Sequence, residues 1–147
     1  EAIDMLQAMN TGHEGSMTTV HANTPRDALT RIENMVTMAG LNFPVQAIRQ
    51  QMNSALNILM HVGRLTGGAR KIVCVAEITG MEKDVILLQD IFRFRQTGVT
   101  PEGHVAGNFE VCGVRPKILD RMEGEGIKFP VDFFRQRILT PRTPAGE

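Results

Sequence analysis

The sequence predicts an α/β fold. Three observations carry this expectation. Apolar residues recur at helical spacing over roughly the first third of the chain, two β-rich runs then follow one another, and a Gly-Gly pair stands between those runs where a hairpin must turn. The runs are NILMHV and KIVCVAEI, joined through RLTGGAR, whose Gly67 and Gly68 can take the positive φ that a tight turn requires. The near-continuous apolar stretch from Ile72 to Ile78 predicts a strand covered on both faces, as in a layered α/β sheet.

The elements follow in order. Ala2, Ile3, Leu6 and Met9 fall on one helical face, with acidic residues in the first turn and Gly12 as a stop. Ser16 to His21 is Thr-rich and β-branched, which predicts a short strand, and ANT then turns the chain. Thr24 is placed as an N-cap, Pro25 as the first helical residue and Asp27 at capping-box distance. The helix they open carries Leu29, Ile32, Val36 and Ala39 on one stripe and ends at Gly40. A further helix begins at Pro44 and turns Val45, Ile48, Met52 and Leu56 inward. After the two β-rich runs, TGMEKD predicts a turn and DVILLQDIF another strand. TGVTPEGHVAGNF reads as a Gly-rich loop, Arg115 to Met122 and Pro130 to Arg137 as short helices, and residues 140–147 as a disordered tail.

At 147 residues and 42% hydrophobic, the chain is long enough for one real core. Sixteen basic residues balance sixteen acidic ones, so the charge pattern points to no nucleic-acid partner and no polybasic membrane patch. Cys74 and Cys112 are far apart and outside any CxxC pair, which fits reduced thiols better than a disulfide framework. No apolar run approaches the roughly 20 residues of a spanning helix, and the expectation is a soluble chain. Because it opens at Glu1 inside a predicted helix, with no initiator methionine and no signal-peptide pattern, we expect an excised domain.

His13 and His21 are the residues with the most chemistry. They lie eight positions apart across a presumed turn and strand, not at the i, i+4 spacing of a helical zinc pair, so no metal site is expected. His21 stands at a strand end before a capped helix, where α/β sheets place ligand-contacting residues. There an imidazole can bond a phosphate oxygen or hold a water for attack on it; equally, it can bond a loop carbonyl. His13, after Gly12, fixes the loop. Cys74, among Val73, Val75 and Ala76, reads as a buried and inert thiol. Arg64 and Arg70 flank the hairpin glycines, as phosphate or interface arginines or as the solvated charges of an ordinary hairpin.

The run EAIDMLQAMNTGHEGSMTTVHANTPRDALTRIENM resembles the histidine-box region of the secretion ATPase superfamily, the motors of type II and type IV secretion and pilus assembly. With KIVCVAEITGMEKDVILLQDIF and GVRPKILDRMEGEGIKFP, it is most similar to the tight-adherence (Tad/Flp) pilus assembly ATPases. The likeness covers nearly the whole chain to about Ile138. It implies the C-terminal part of a RecA-like P-loop ATPase domain with a hairpin-rich region and small C-terminal helices. In that reading residues 1–96 belong to the motor domain and 97–139 form an accessory segment. His21 would face the terminal phosphate of ATP, with His13, Arg64 and Arg70 as supporting or nucleotide-binding residues.

The resemblance further implies a homohexamer using ATP and Mg²⁺, located in the cytoplasm at the inner membrane and working with inner-membrane platform proteins. No Gly-Lys pair occurs anywhere, so the GxxxxGK[ST] phosphate loop is absent, and this chain alone is expected to hold no cofactor and to be inactive. The alternative is a non-catalytic oligomerisation or coupling module of a secretion apparatus.

Overall fold

The computed structural model describes residues 2–11, 15–40 and 42–139. Its elements are α1 (Ala2–Asn10), α2 (Pro25–Met38), α3 (Val45–Ala55), β1 (Ile58–Arg64), β2 (Arg70–Glu82), β3 (Val85–Val99), β4 (Val105–Val111), α4 (Ile118–Gly124) and β5 (Arg137–Leu139). The strands form one sheet in the order β1-β2-β3-β4-β5, each beside its successor in sequence. Two compact units divide the chain: Glu1–His61 with Ala76–Gln89, and Val62–Val75 with Asp90–Glu147.

The first unit is built on helical stripes. Leu29, Ile32 and Val36 of α2 are buried at i, i+3, i+7 spacing, and Ile48, Met52 and Ala55 of α3 at i, i+4, i+7, while the residues between them are exposed or partly exposed. They meet Ile3 and Leu6 of α1 and two strand residues, Ile78 and Ile86, in one cluster where Leu6 and Met52 are fully buried. Burying a side chain of that size contributes about 1.5–3 kcal/mol. Polar bonds then fix the angles. Arg49 donates to both Glu33 carboxylate oxygens, at 2.7 and 3.2 Å, and to the Asp84 carbonyl at 2.8 Å, joining α3, α2 and the β2–β3 turn.

In the second unit the β1–β2 turn closes with the Leu65 N–H donating to the Ala69 carbonyl at 2.8 Å. Gly67 has φ +85°, and a Cβ there would lie 2.7 Å from His104 Nδ1 and 3.0 Å from the Gly103 carbonyl. Only glycine lets this tip rest on the β3–β4 turn. Strands β3 and β4 pair antiparallel from Phe92↔Val111 to Val99↔Val105, with an irregularity between Gln96 and Gly98. Strand β5 pairs antiparallel with β4. Ile91, Val111, Pro116 and Leu119 are buried here.

The mixed α/β class and the hairpin are as the sequence predicts. Several elements differ. Ser16 to His21 lies outside the five-stranded sheet and is not a strand, because a strand exists only where its N–H and C=O groups join a ladder. The turn after β2 shrinks to Lys83 and Asp84 because both flanking strands run longer than their apolar cores. The expected loop at 97–109 contains the end of β3 and the first five residues of β4. Its glycines misled, since Gly107 is a strand residue at which a Cβ would meet the Arg95 carbonyl and the Phe94 ring, both at 2.5 Å.

Residues 130–137 form turns leading into β5 rather than a helix, because the Arg137 guanidinium binds the carbonyls of Asp132, Phe133 and Arg135 and closes the chain on itself. Helix α4 begins at Ile118, later than Arg115, whose side chain is committed to Asp120 and Glu123. Coverage on both faces of β2 holds for Ala76 to Ile78, while Ile72 is 42% exposed. Val45, expected inward on α3, is exposed, and so is Ala39. The tail at 140–147 lies outside the described residues.

Two substitutions separate core from cap. Met52→Ala should lower unfolding free energy by about 2–5 kcal/mol, and Thr24→Ala by about 0.5–2 kcal/mol with Thr24→Asn near neutral, as read from urea midpoints. A cap variant as damaging as the core variant would contradict this assignment.

Candidate functional site

His21 lies on an exposed run between α1 and α2. Thr19 and His21 are exposed while Val20 between them packs on the core, so the extended backbone here turns the imidazole outward. No described residue bonds to it. Three residues later Thr24, extended at φ −142° and ψ 163°, caps α2 by accepting from the Asp27 N–H at 3.0 Å. Pro25 fills the first helical position. Arg26 donates to the Ile86 carbonyl at 3.4 Å and ties the first turn to β3. A cap, a proline and an arginine thus fix the chain just after His21. An exposed imidazole held there can donate one hydrogen bond to an anion arriving near the helix start.

His13 lies outside the described residues. Arg64 and Arg70 flank the β1–β2 turn in the second unit, whereas His21 is in the first. The Leu65–Ala69 bond places Arg64 opposite Arg70 across the hairpin, both exposed and neither in an ion pair among the described residues. Like charges directly opposite oppose pairing slightly, and two guanidinium groups so placed can share an oxyanion.

Cys74 is half-buried, its Sγ 3.4 Å from Asp90 Oδ1. Burial first, and the Asp90 bond and charge second, push its thiol up to about 12. Burial also raises Cys112, against the opposing pull of Arg93. Neither thiol is prepared to act as a nucleophile. Among the described residues no three His, Cys, Asp or Glu side chains are grouped to hold a metal ion, and no helix is long and apolar enough to cross a membrane. Two features escaped the sequence reading. Glu77 is 3% exposed between Ala76 and Ile78, signalled only by a lone acid in an apolar run. Phe129, Phe133 and Phe134 gather on a turn whose spacing imitates a helix.

The sequence model of the family described as type II/IV secretion system protein matches residues 1–99, two-thirds of the chain and the whole of the His21 region. The chain belongs to the type II/IV secretion system protein family. Members of this family are ATPases. A putative conjugal transfer protein of Mycobacterium tuberculosis is 33% identical over 111 residues, covering 65% of this chain and 31% of that protein. The conjugal transfer protein TrbB of Rhizobium radiobacter is 33% identical over 79 residues, covering 54% of this chain and 23% of its own length. A probable TrbB of Sinorhizobium fredii is 29% identical over 105 residues, covering 71% and 30%. The chain therefore spans less than a third of the curated relatives it matches.

The thiol chemistry is directly measurable. A Cys74 pKa raised from 9.0 to about 12 means that the unfolded thiol ionises first as pH rises. Its contribution to stability is fully present below pH 9.0 and is lost toward pH 12. At pH 8 iodoacetamide should modify native Cys74 far more slowly than the urea-unfolded chain, with peptide mass mapping to identify the site. Equal rates would refute a protected thiol.

Proposed function

We propose that this chain is the C-terminal part of the RecA-like motor domain of a hexameric secretion ATPase of the tight-adherence pilus class, driving pilin or substrate export. The observation that carries the reading is His21: an exposed imidazole, held just ahead of a capped helix, inside the segment matched by the family. In the full-length protein His21 orients at the terminal phosphate of ATP, with His13 supporting the loop. Arg64 and Arg70 are candidates for a second phosphate or subunit contact. The protein acts in the cytoplasm at the inner membrane, against platform proteins.

The donor set present here fits a contribution to such a site rather than the whole of it. His21 supplies one hydrogen bond, worth about 0.5–1.5 kcal/mol net, against the roughly 8 kcal/mol of micromolar binding. Neutralising a triphosphate takes loop amides, a lysine and Mg²⁺ held by a hydroxyl and an acid, and this chain has no Gly-Lys pair with which to build that loop. Those groups belong to the rest of the full-length protein in this reading.

An apolar groove of about 230 Å³, lined by Ala2, Met5, Thr18, Thr19, Val20, Ile32 and Met35, supports the same view. It runs beside the extended run from Met17 to Ala22, which lies outside the five-stranded sheet, and Met17 is 94% exposed. A sheet from the remainder of the motor domain would pair that segment and cover the groove. The second reading, a non-catalytic coupling module, draws on the same exposed apolar residues but leaves His21 without a task.

Three measurements divide the readings. His21→Ala in the full-length protein should lower ATP turnover by about 10²–10³ while leaving nucleotide affinity largely intact. Turnover at the parent rate makes His21 structural. Calorimetry of this chain alone with ATP and Mg²⁺ should show no binding heat, and a micromolar dissociation constant would locate the phosphate site elsewhere. Amides from Met17 to Val20 should exchange rapidly here and at least about a hundredfold more slowly in the full-length protein, where pairing would protect them. Unchanged exchange would leave the segment without its sheet.

A further inference from the structure

The turn between α4 and β5 lies beyond the family match, and nothing in the proposed ATPase reading uses it. It is unusually fixed for an exposed turn. The Arg137 guanidinium accepts no bond and gives three, to the carbonyls of Asp132 at 3.0 Å, Phe133 at 2.7 Å and Arg135 at 3.2 Å, and it lies 5.9 Å from the Phe133 ring centroid. Phe129, Phe133 and Phe134 pack on one another at 5.0–5.8 Å between centroids. This frame holds Val131 in solvent, at 108% relative exposure, along a groove of about 530 Å³ that Leu119, Phe129 and Phe134 also line.

The rim carries charge in a particular arrangement. Arg115 is satisfied by Asp120 at 2.6 Å and Glu123 at 3.1 Å. Asp132 and Arg135, also on the groove, have side chains in no ion pair among the described residues. One short turn thus presents an apolar knob, a groove with aromatic and aliphatic lining, and an anion and a cation that are in no ion pair among the described residues. A two-fold contact needs a patch that carries both halves of each complementary pair, and opposite charges three residues apart beside an exposed apolar side chain meet that requirement.

We propose that this face joins two copies of the chain in an isologous contact, with Val131 of each seated in the groove of the other and Asp132 of each facing Arg135 of the other. The contact is two-fold and so differs from the head-to-tail contact that closes a ring; it couples chains in pairs. Because the frame is already ordered, little conformational entropy is lost when the knob is buried.

Sedimentation of the full 147-residue chain tests the contact by charge exchange. The parent should dimerise reversibly. Asp132→Arg sets two cations face to face and Arg135→Asp two anions, so each alone should weaken the dimer by about tenfold or more. The double variant should regain it, and an equal mixture of the two single variants should recombine, since each then meets the opposite charge. Val131→Glu should remove association, with circular dichroism reporting the fold. A parent that remains monomeric at high concentration overturns the proposal, as do single variants that dimerise like the parent or a mixture that fails to recombine.

Discussion

Burial of three helical stripes against Ile78 and Ile86 is the constraint on which the first unit depends. Helices α1 and α3, at 9 and 11 residues, are too short to be stable alone in water, and α2, at 14, is marginal, since the limit lies at about 12–15 residues. Each persists because its apolar face closes on the others. Leu6 and Met52 occupy the centre, and Arg49 spans Glu33 and the Asp84 carbonyl at the edge. The position of His21 is a product of this packing: Val20 is drawn inward, α2 is held at its first turn, and the residue between them has one direction left.

Much of this was legible in the chain itself. Helical periodicity located α1 to α3 because their stripes are simple, and Thr24 with Pro25 marked the start of α2 because capping chemistry is local. Gly67 and Gly68 announced a hairpin for the same reason. The β4 and β5 strands were not legible. Gly107 sits in β4 because a Phe94 ring from the next strand covers its backbone, a reason that becomes visible only once the strands are paired. The 130–137 turn misread as a helix depends on Arg137 reaching back to three carbonyls, which no periodicity records.

The site shows the same division. The place of His21 just ahead of a capped helix was legible, because the cap and the proline are local signals. Arg64 and Arg70 were visible as charges beside glycines, but their cross-strand opposition needed the register set by Leu65 and Ala69. The Cys74–Asp90 contact joins residues sixteen positions apart on neighbouring strands, and Cys74 looked merely apolar in sequence. The family match spans residues 1–99, so the helices, the hairpin and the extended run before α2 fall within one matched segment.

The Thr24 cap has a geometric corollary. A helix turns about 100° per residue, because 3.6 residues complete a turn. Were α2 to begin one residue later with Leu29, Ile32 and Val36 in place, Pro25 would leave the helix and the Asp27 N–H would lose the Thr24 oxygen. The cap therefore fixes where the helical period starts, and with it the length of free chain between His21 and the helix. An insertion or deletion of a single residue between His21 and Thr24 would change that length and move the imidazole relative to the helix start, even with every contact of the helix preserved.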